Sequence, residues 1–259
     1  MNVLASRKNP RVRRWRELMQ DARARRKAKR ALIEGEHLVS AFLESGKRVE
    51  ELLLSRTGAA RFEALASQAG KAPLVLSDAV FRSIVDIGTP AGIAAEIALP
   101  DSAPDLEASR RCIFLEGIQD AGNVGAILRS AAAFGIRDAV LGKGCADAWS
   151  PKVLRAGMGA HFAMLLQENA DLAVAIERFG GRIACTVVRG GTALKGADLS
   201  GRIGWIFGAE GRGVSRALAA RASLKVTIPM PGGAESLNVA AAAAICFYEA
   251  ARRGDPDTS

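Results

Sequence analysis

Histidine and cysteine are scarce in this sequence of 259 residues, which contains two histidines and four cysteines. His37 and His161 cannot supply an H-E-x-x-H zinc site, and their number excludes most histidine-based catalytic triads. The cysteines include no C-x-x-C pair, so we expect neither a structural metal site nor a disulfide framework. Any chemistry of this protein therefore has to use other side chains.

Long apolar runs are also absent. No run exceeds about ten residues, whereas a membrane-spanning helix needs about 20. The basic start of the chain lacks the apolar segment of a secretory signal. We therefore expect a cytoplasmic protein without a membrane span, and its length and 49% hydrophobic content suit one large or two ordinary domains.

Acidic residues are few near the start of the chain. Residues 1–30, the basic arm, contain 12 lysines and arginines against two acidic residues, a net charge of +10, while the whole chain carries +9. Such a local surplus is typical of proteins that bind a phosphate backbone, and a merely solvated charged helix is the alternative. The arginines expected to contact this backbone are Arg11, Arg13, Arg14, Arg25 and Arg26. Helical spacing of apolar residues predicts a helix with one narrow stripe: Val12, Trp15, Met19 and Ala22.

Beyond the arm, short apolar runs alternate with helical segments, which predicts an α/β protein with two domains. Residues 1–98 form the basic arm and a small α/β domain, and the proline-containing, acidic stretch 99–110 reads as a linker. The second domain is expected at 111–254, followed by a disordered tail at 255–259. Its predicted strands, in a mostly parallel sheet, are 112–115, 139–141, 163–166, 182–187, 204–207 and 225–228.

Three loops that follow predicted strands carry polar residues beside glycines. They read EGIQDAGNVGAILR at 116–129, GAEGRGVS at 208–215 and IPMPGGAESLN at 228–238. The second has the spacing G-x-x-G-x-G and not the G-x-G-x-x-G of a dinucleotide site, and a G-K-[ST] phosphate loop is missing. One such loop is an ordinary turn, because glycine suits any position that needs a positive φ. Three in one domain favour a ligand site at the carboxyl ends of the strands.

These loops resemble the three signature motifs of the SpoU, or TrmH-type, branch of the SPOUT RNA methyltransferases. The resemblance covers residues 111–252, and a further family stretch is matched by SPKVLRAGMGA at 150–160. The motif residues are Asn123, Gly125 and Arg129; Gly208, Glu210, Gly211 and Gly213; and Ile228, Pro229, Met230, Ser236, Leu237 and Asn238.

The resemblance implies a SPOUT-type parallel sheet with a C-terminal trefoil knot, an exception to the usual unknotted topology. It also implies S-adenosylmethionine as cofactor, wrapped by the knot loops and held largely by main-chain groups. Glycines would then allow close backbone approach to the ligand. The residues expected at the cofactor are Gly208, Glu210, Gly211, Ile228, Met230 and Leu237.

The family transfers a methyl group to a ribose 2′-hydroxyl of structured RNA, and the resemblance implies that Arg129 is the central catalytic group. An arginine side chain holds its proton tightly, which makes a role as general base demanding, and bidentate binding of the phosphate beside the target ribose is an equally physical role. His161 matches no catalytic position of the family. Shaping the site by hydrogen bonds is the role implied for the remaining residues: Asn123, Glu210, Ser236 and Asn238.

The N-terminal domain resembles the ribosomal-protein-like substrate-binding domain that precedes many of these catalytic domains, on the residues Ser6–Pro10 and Ile33–Val39 (IEGEHLV). The last helix, LNVAAAAAICFYEAARR, is almost wholly apolar between its ends, so we expect it to be buried on every side, against its own sheet and a second subunit. The expected partners are therefore RNA and a second copy of the chain, with no metal.

The expected activity is methylation of 23S ribosomal RNA, because the N-terminal domain resembles those of enzymes that act on ribosomal RNA. A transfer RNA substrate is one alternative. A non-enzymatic RNA-binding or ribosome-assembly protein of the same fold is another, and the complete motif residues argue against it. A small-molecule methyltransferase is disfavoured by the basic arm.

Overall fold

A computed structural model describes residues 3–85, 88–232 and 235–253. The helices are α1 (Pro10–Gln20), α2 (Ala22–Ala28), α3 (Glu36–Glu44), α4 (Arg56–Arg61), α5 (Glu63–Gln68), α6 (Asp78–Ile84), α7 (Ala121–Ala133), α8 (Pro151–Gly157), α9 (Leu172–Phe179), α10 (Arg216–Ala219) and α11 (Val239–Arg252). The strands are β1 (Arg30–Glu34), β2 (Glu51–Ser55), β3 (Leu74–Leu76), β4 (Ile93–Ala98), β5 (Arg111–Glu116), β6 (Asp138–Gly142), β7 (Leu165–Ala170), β8 (Arg182–Thr186), β9 (Thr192–Ala193), β10 (Ile203–Gly208) and β11 (Leu224–Thr227). None of the helices in these ranges has the length and apolar character to cross a membrane.

The chain forms two compact units. The N-terminal unit consists of the residues up to Asp101 together with Trp149–Phe162, and the C-terminal unit consists of Ser102–Ala148 and the residues from Ala163 onward. The division thus falls inside the predicted linker, and the segment around α8 packs with the N-terminal unit although it lies within the predicted second domain. The predicted tail at 255–259 lies outside the described residues.

The sheet of the N-terminal unit has the order β1-β4-β2-β3, with β4 antiparallel to β1 and β2, and β3 parallel to β2. The segment with α8 is attached to α3 and to the turn that follows it. Lys47 Nζ donates to the carbonyl of Phe162 at 2.7 Å, and His37 Nε2 lies 3.3 Å from the carbonyl of Met158. Polar side chains therefore hold the C-terminal part of this segment within the unit.

The predicted helix of the basic arm is confirmed but divides into α1 and α2 at Asp21. Asn9 caps α1 by accepting from the amide of Arg11 at 2.9 Å, and Pro10 suits the first helical position. Val12, Trp15 and Met19 of the predicted stripe are buried. Leu18 is buried with them, whereas Ala22 is half-buried. Because Trp15 packs in the core with residues of β2 and α6, the arm is an integral part of the unit.

The residues that were predicted to link the domains pack against the C-terminal unit from Ser102 onward. Leu106 is 1% exposed and belongs to the hydrophobic core of that unit. Arg202 Nε donates to the carbonyl of Ser109 at 2.8 Å. The stretch is therefore fixed by burial and hydrogen bonding despite its linker-like composition.

The C-terminal unit contains a seven-stranded, wholly parallel sheet with the order β7-β6-β5-β10-β8-β11-β9. The predicted α/β class and parallel sheet are confirmed. The strand expected at 163–166 begins later, because Ala160–Ala163 form a 3-10 turn, and the two-residue strand β9 was not predicted. The trefoil knot stays a prediction.

Helix α11 is buried on one side within the single chain, and its expected burial against a second subunit stays a prediction. One face packs on the sheet, where Phe247 meets Phe207 edge-to-face at 5.5 Å between ring centroids. The opposite face leaves an exposed stripe of Ala241, Ile245 and Tyr248, at spacings of four and three residues. Within a single chain this apolar stripe faces solvent.

Candidate functional site

A cavity of about 490 Å³ lies at the carboxyl ends of the parallel strands β8, β10 and β11. The loops after these strands and the start of α11 form its walls, as the topology of such sheets predicts. The residues that line it are Thr186, Val187, Val188, Gly208, Ala209, Glu210, Gly211, Arg212, Gly213, Val214, Ile228, Met230, Ser236, Leu237, Asn238, Val239 and Ala242. The six residues predicted at the cofactor are all among them.

The loop at 208–215, which we call the glycine loop, folds back on its own start. The amide of Gly213 donates to the carbonyl of Ala209 at 2.8 Å, and Gly211 and Gly213 have φ of 81° and 65°. A Cβ on Gly208 would lie 2.0 Å from the carbonyl oxygen of Gly213. Gly208 is therefore required by the loop's own backbone, whereas the sequence analysis attributed it to close approach of a ligand.

The side chain of Asn123 joins the three motifs. Its amide nitrogen donates to Glu210 Oε1 in the glycine loop, and its oxygen accepts from Asn238 Nδ2 at 2.9 Å. The Asn238 oxygen in turn caps α11, accepting from the amides of Ala240 at 2.9 Å and Ala241 at 3.2 Å. These residues thus form one hydrogen-bonded network at the rim of the cavity.

Asn123 is itself held in place at the start of α7. Asp120 is the N-cap of this helix, and its Oδ1 accepts from the backbone amide of Asn123 at 2.8 Å. The loop after β5 therefore presents the Asn123 side chain from a fixed helix end. The sequence analysis expected Asn123, Glu210 and Asn238 to act by hydrogen bonding, and the structure brings all three together.

Arg129 and Ser236 make no side-chain hydrogen bond within the described ranges. Ser236 lines the cavity. Arg129 is exposed on α7, about 9 Å along the helix axis from Asn123 at 1.5 Å per residue, and it is not a lining residue. Its guanidinium also has no ion pair with any residue that the structure describes, so it is free to bind an anion.

Several residues of the site had no role assigned from the sequence, among them Val239 and Ala242, which line the cavity at the start of α11. Thr186, Val187 and Val188 line the cavity, and the only signal for them was their position at the end of a predicted strand. Glu116 was included in the first loop without a role, and its Oε2 accepts from the backbone amide of Ser215 at 2.7 Å.

The predicted RNA-binding arginines are already engaged in part within the N-terminal unit. Arg11, Arg13 and Arg14 form ion pairs with glutamates, yet Arg13 and Arg14 keep 79% and 48% of their side chains exposed. Arg25 is 3% exposed and donates to the carbonyl of Leu18 at 2.6 Å. The expectation that Arg25 contacts RNA is therefore wrong, because its guanidinium serves the fold. Arg26 is exposed.

The four cysteines and His161 do not line the cavity. Burial raises the pKa of the Cys246 thiol to about 12, and burial also raises the pKa of Cys112, Cys145 and Cys185. His161 is fully buried in the N-terminal unit, beside Trp149. The described part of the chain contains no cluster of histidine, cysteine and carboxylate side chains that could hold a metal ion.

Comparison with known families matches residues 110–248 to the SpoU rRNA Methylase family and residues 9–95 to the MRM3-like substrate binding domain. The first match covers more than half of the chain and includes every residue of the three motifs. The chain belongs to the SpoU rRNA methylase family.

Similar proteins include the 23S rRNA (guanosine(2553)-2′-O)-methyltransferase RlmP of Bacillus subtilis. It is 34% identical over 250 residues, which cover 96% of this chain and 98% of RlmP. The human mitochondrial rRNA methyltransferase 3 is 35% identical over 57% of this chain and 37% of that protein.

Solved structures of similar fold include the AdoMet-bound rRNA methyltransferase from Sinorhizobium meliloti, with a TM-score of 0.83, 26% identity and coverage of 97% of this chain and 98% of that one. The SpoU methyltransferase AviRb from Streptomyces viridochromogenes, in complex with AdoMet, has a TM-score of 0.82, 25% identity and coverage of 95% and 98%. The likeness to both structures therefore extends over both units of the chain.

Substitution of Gly208 by alanine is expected to disrupt the glycine loop, because the new Cβ overlaps the backbone of Gly213. We expect loss of S-adenosylmethionine binding by at least about tenfold in calorimetric titration, with a lowered melting temperature. Gly196→Ala is the matched control, since no atom of the described residues lies within 4 Å of a Cβ there and Gly196 does not line the cavity. Equal affinities of the Gly208→Ala and wild-type proteins for S-adenosylmethionine would contradict the requirement for glycine at position 208.

Proposed function

We propose that this SpoU family member transfers a methyl group from S-adenosylmethionine to a ribose 2′-hydroxyl of 23S ribosomal RNA. The observation that carries the proposal is the network in which Asn123 joins Glu210 and Asn238, since it assembles all three family motifs at one cavity. The RlmP similarity over nearly the full length of both chains supports the substrate. A transfer RNA substrate is less favoured for the same reason.

The cavity fits the proposed cofactor. Its volume is within the range of about 300–1,000 Å³ typical of small-molecule sites. Apolar side chains of Ile228, Met230 and Leu237 offer contacts to an adenosyl group, while the glycine loop exposes backbone amides and carbonyls. The residues that would hold the cofactor are Gly208, Glu210, Gly211, Ile228, Met230 and Leu237.

The cofactor supplies an electrophilic methyl group, so the protein has to orient the ribose hydroxyl and exclude competing geometries. Arg129 suits the binding of the phosphate beside the target ribose, because its guanidinium is exposed and a guanidinium has two parallel donors for phosphate oxygens. Asn123, Glu210, Ser236 and Asn238 shape the site around the hydroxyl. The hydrogen bond from Asn123 fixes the orientation of the Glu210 carboxylate.

Cells that lack the protein are expected to lose a 2′-O-methyl group of 23S ribosomal RNA, as mapped across total RNA. The wild-type gene should restore it, and an Arg129→Ala variant should not, because loss of a charge-assisted contact costs at least about 1.5 kcal/mol, or about a tenfold loss of rate. The purified variant should bind S-adenosylmethionine like the wild type, since Arg129 does not line the cavity.

Several outcomes would contradict this proposal. A methyl group lost from transfer RNA would identify the alternative substrate, and an unchanged methylation map with no cofactor binding would identify a non-enzymatic RNA-binding or ribosome-assembly protein. Retention of more than about a tenth of wild-type turnover by Arg129→Ala would remove Arg129 from the active site.

The arginines of α1 and α2 that were expected to bind the RNA backbone, other than Arg25, are proposed to do so: Arg11, Arg13, Arg14 and Arg26. Deletion of the arm cannot test this, because Trp15 and its neighbours belong to the core. Point substitution of Arg13 and Arg26 preserves that core, since both side chains are exposed.

An Arg13→Ala/Arg26→Ala variant should bind RNA with a logarithmic salt slope about 1.4–1.8 smaller than the wild type, using roughly 0.7–0.9 per phosphate contact. The Arg13→Lys/Arg26→Lys variant is the matched control, because it keeps both charges and should keep the slope. Affinity measured against salt concentration tests both. Superimposable slopes of the alanine variant and wild type would assign the RNA contacts elsewhere.

The protein is proposed to act as a homodimer through the exposed stripe of α11. This stripe lies beside α7, where Phe134 contacts Tyr248 edge-to-face, and α7 also carries Arg129. Burial of Ile245, Ala241 and Tyr248 against a second copy would remove apolar area from water. We also propose a cytoplasmic location, as expected for an enzyme that acts on ribosomal RNA.

Ile245→Glu should convert the dimer to a monomer in sedimentation velocity, because a carboxylate would be buried in an apolar contact. Val174→Glu is the control. Val174 is an equally apolar residue, 53% exposed on α9, and its substitution should leave the dimer intact. A wild-type protein that sediments as a monomer at micromolar concentration would refute the proposed interface.

A further inference from the structure

The carboxylate of Glu116 connects the two ends of the glycine loop. Glu116 is the last residue of β5 and pairs in register with Gly208, the last residue of β10, where the loop begins. Its Oε2 accepts from the backbone amide of Ser215, where the loop ends, at 2.7 Å. The side chain of Glu116, which lies beside the first residue of the loop, therefore binds the last one.

Few other side chains secure this loop from outside. Within the residues that the structure describes, only Asn123, through Glu210, and Glu116, through Ser215, donate or accept a side-chain hydrogen bond across to it. The internal bond from Gly213 to Ala209 closes the turn between these two points. Because the loop forms one wall of the cavity, the position of that wall depends on both attachments.

We propose that Glu116 is a positioning residue that sets the cofactor affinity of the site by holding the glycine loop through the Ser215 amide. The proposal rests on the proposed function, because it takes S-adenosylmethionine as the ligand. Glu116 does not line the cavity, so it acts through the loop and not by contact with the ligand. The hydrogen bond is charge-assisted, which makes it stronger than a bond between neutral groups.

Two variants of Glu116 separate the hydrogen bond from a general loss of folding. Glu116→Ala removes the acceptor, and we expect it to weaken binding of S-adenosylhomocysteine about tenfold in calorimetric titration. Glu116→Gln keeps a neutral acceptor of the same size and should lose only about threefold. The turnover number at saturating cofactor should change by less than about threefold, while the KM for S-adenosylmethionine should rise.

Glu177→Ala is the matched control for loss of a glutamate charge. Glu177 is exposed on α9 in the same unit and is not a lining residue of the cavity. We expect its affinity for S-adenosylhomocysteine to equal that of the wild type. A second readout without ligand is amide hydrogen exchange, in which the peptide containing Ser215 should lose protection in Glu116→Ala and keep it in Glu177→Ala.

The partner of Glu116 can be removed independently. Ser215 has φ of −59°, a value that proline adopts, so Ser215→Pro deletes the amide hydrogen at a compatible backbone angle. Ser215→Ala removes the hydroxyl cap of α10 and keeps the amide, and it serves as reference for the proline variant. If Glu116 acts through this amide, Glu116→Ala should weaken binding about tenfold in the Ser215→Ala background and less than twofold in the Ser215→Pro background.

The outcomes distinguish this inference from the proposed function. A wild-type protein that binds neither S-adenosylmethionine nor S-adenosylhomocysteine would refute the function, and the inference with it. A wild-type protein that binds, with a Glu116→Ala affinity within twofold of it, would refute the role of Glu116 alone. Equal effects of Glu116→Ala in the proline and alanine backgrounds would also overturn it, because the carboxylate would then act by another route.

Discussion

The insertion of β10 between β5 and β8 is the constraint on which the site depends. Parallel pairing places the carboxyl ends of these strands side by side, so that Glu116 and Gly208 become neighbours although 92 residues separate them. The loops that leave these ends must then share a small space. Gly208 has no room for a Cβ, and the carboxylate of Glu116 reaches across the glycine loop. Sheet topology thus determines which residue types the loops can contain.

Much of the fold and of the candidate site could be predicted because it depends on residues that are close to one another in sequence. Strand β5 is a continuous buried apolar run, and the glycine-rich loops follow such runs directly, so their position at the strand ends can be read from the sequence. Only the family resemblance predicted that Gly208 and Leu237 line the same cavity. Neither spacing nor composition relates residues that lie 29 positions apart.

The remaining features depend on contacts that no local pattern records. Arg25 belongs to the same basic run as the exposed Arg26 next to it, yet it is buried because the bend at Asp21 turns it toward the carbonyl of Leu18. Leu106 lies in a stretch with the composition of a linker and still fills the core. In both cases tertiary packing decides the outcome, and charge or proline content alone gives the opposite prediction.

The choice of asparagine at position 123 follows from the groups it has to join. Glu210 presents an acceptor, while Asn238 presents a donor because its own oxygen is occupied by the amides that begin α11. Only a side chain that donates and accepts at once can bind both, and a carboxyamide does so without charge. An aspartate there would oppose the Glu210 carboxylate, and a hydrophobic residue would leave both partners without a bond. The orientation of the Glu210 side chain at the rim of the cavity is therefore set by an uncharged group.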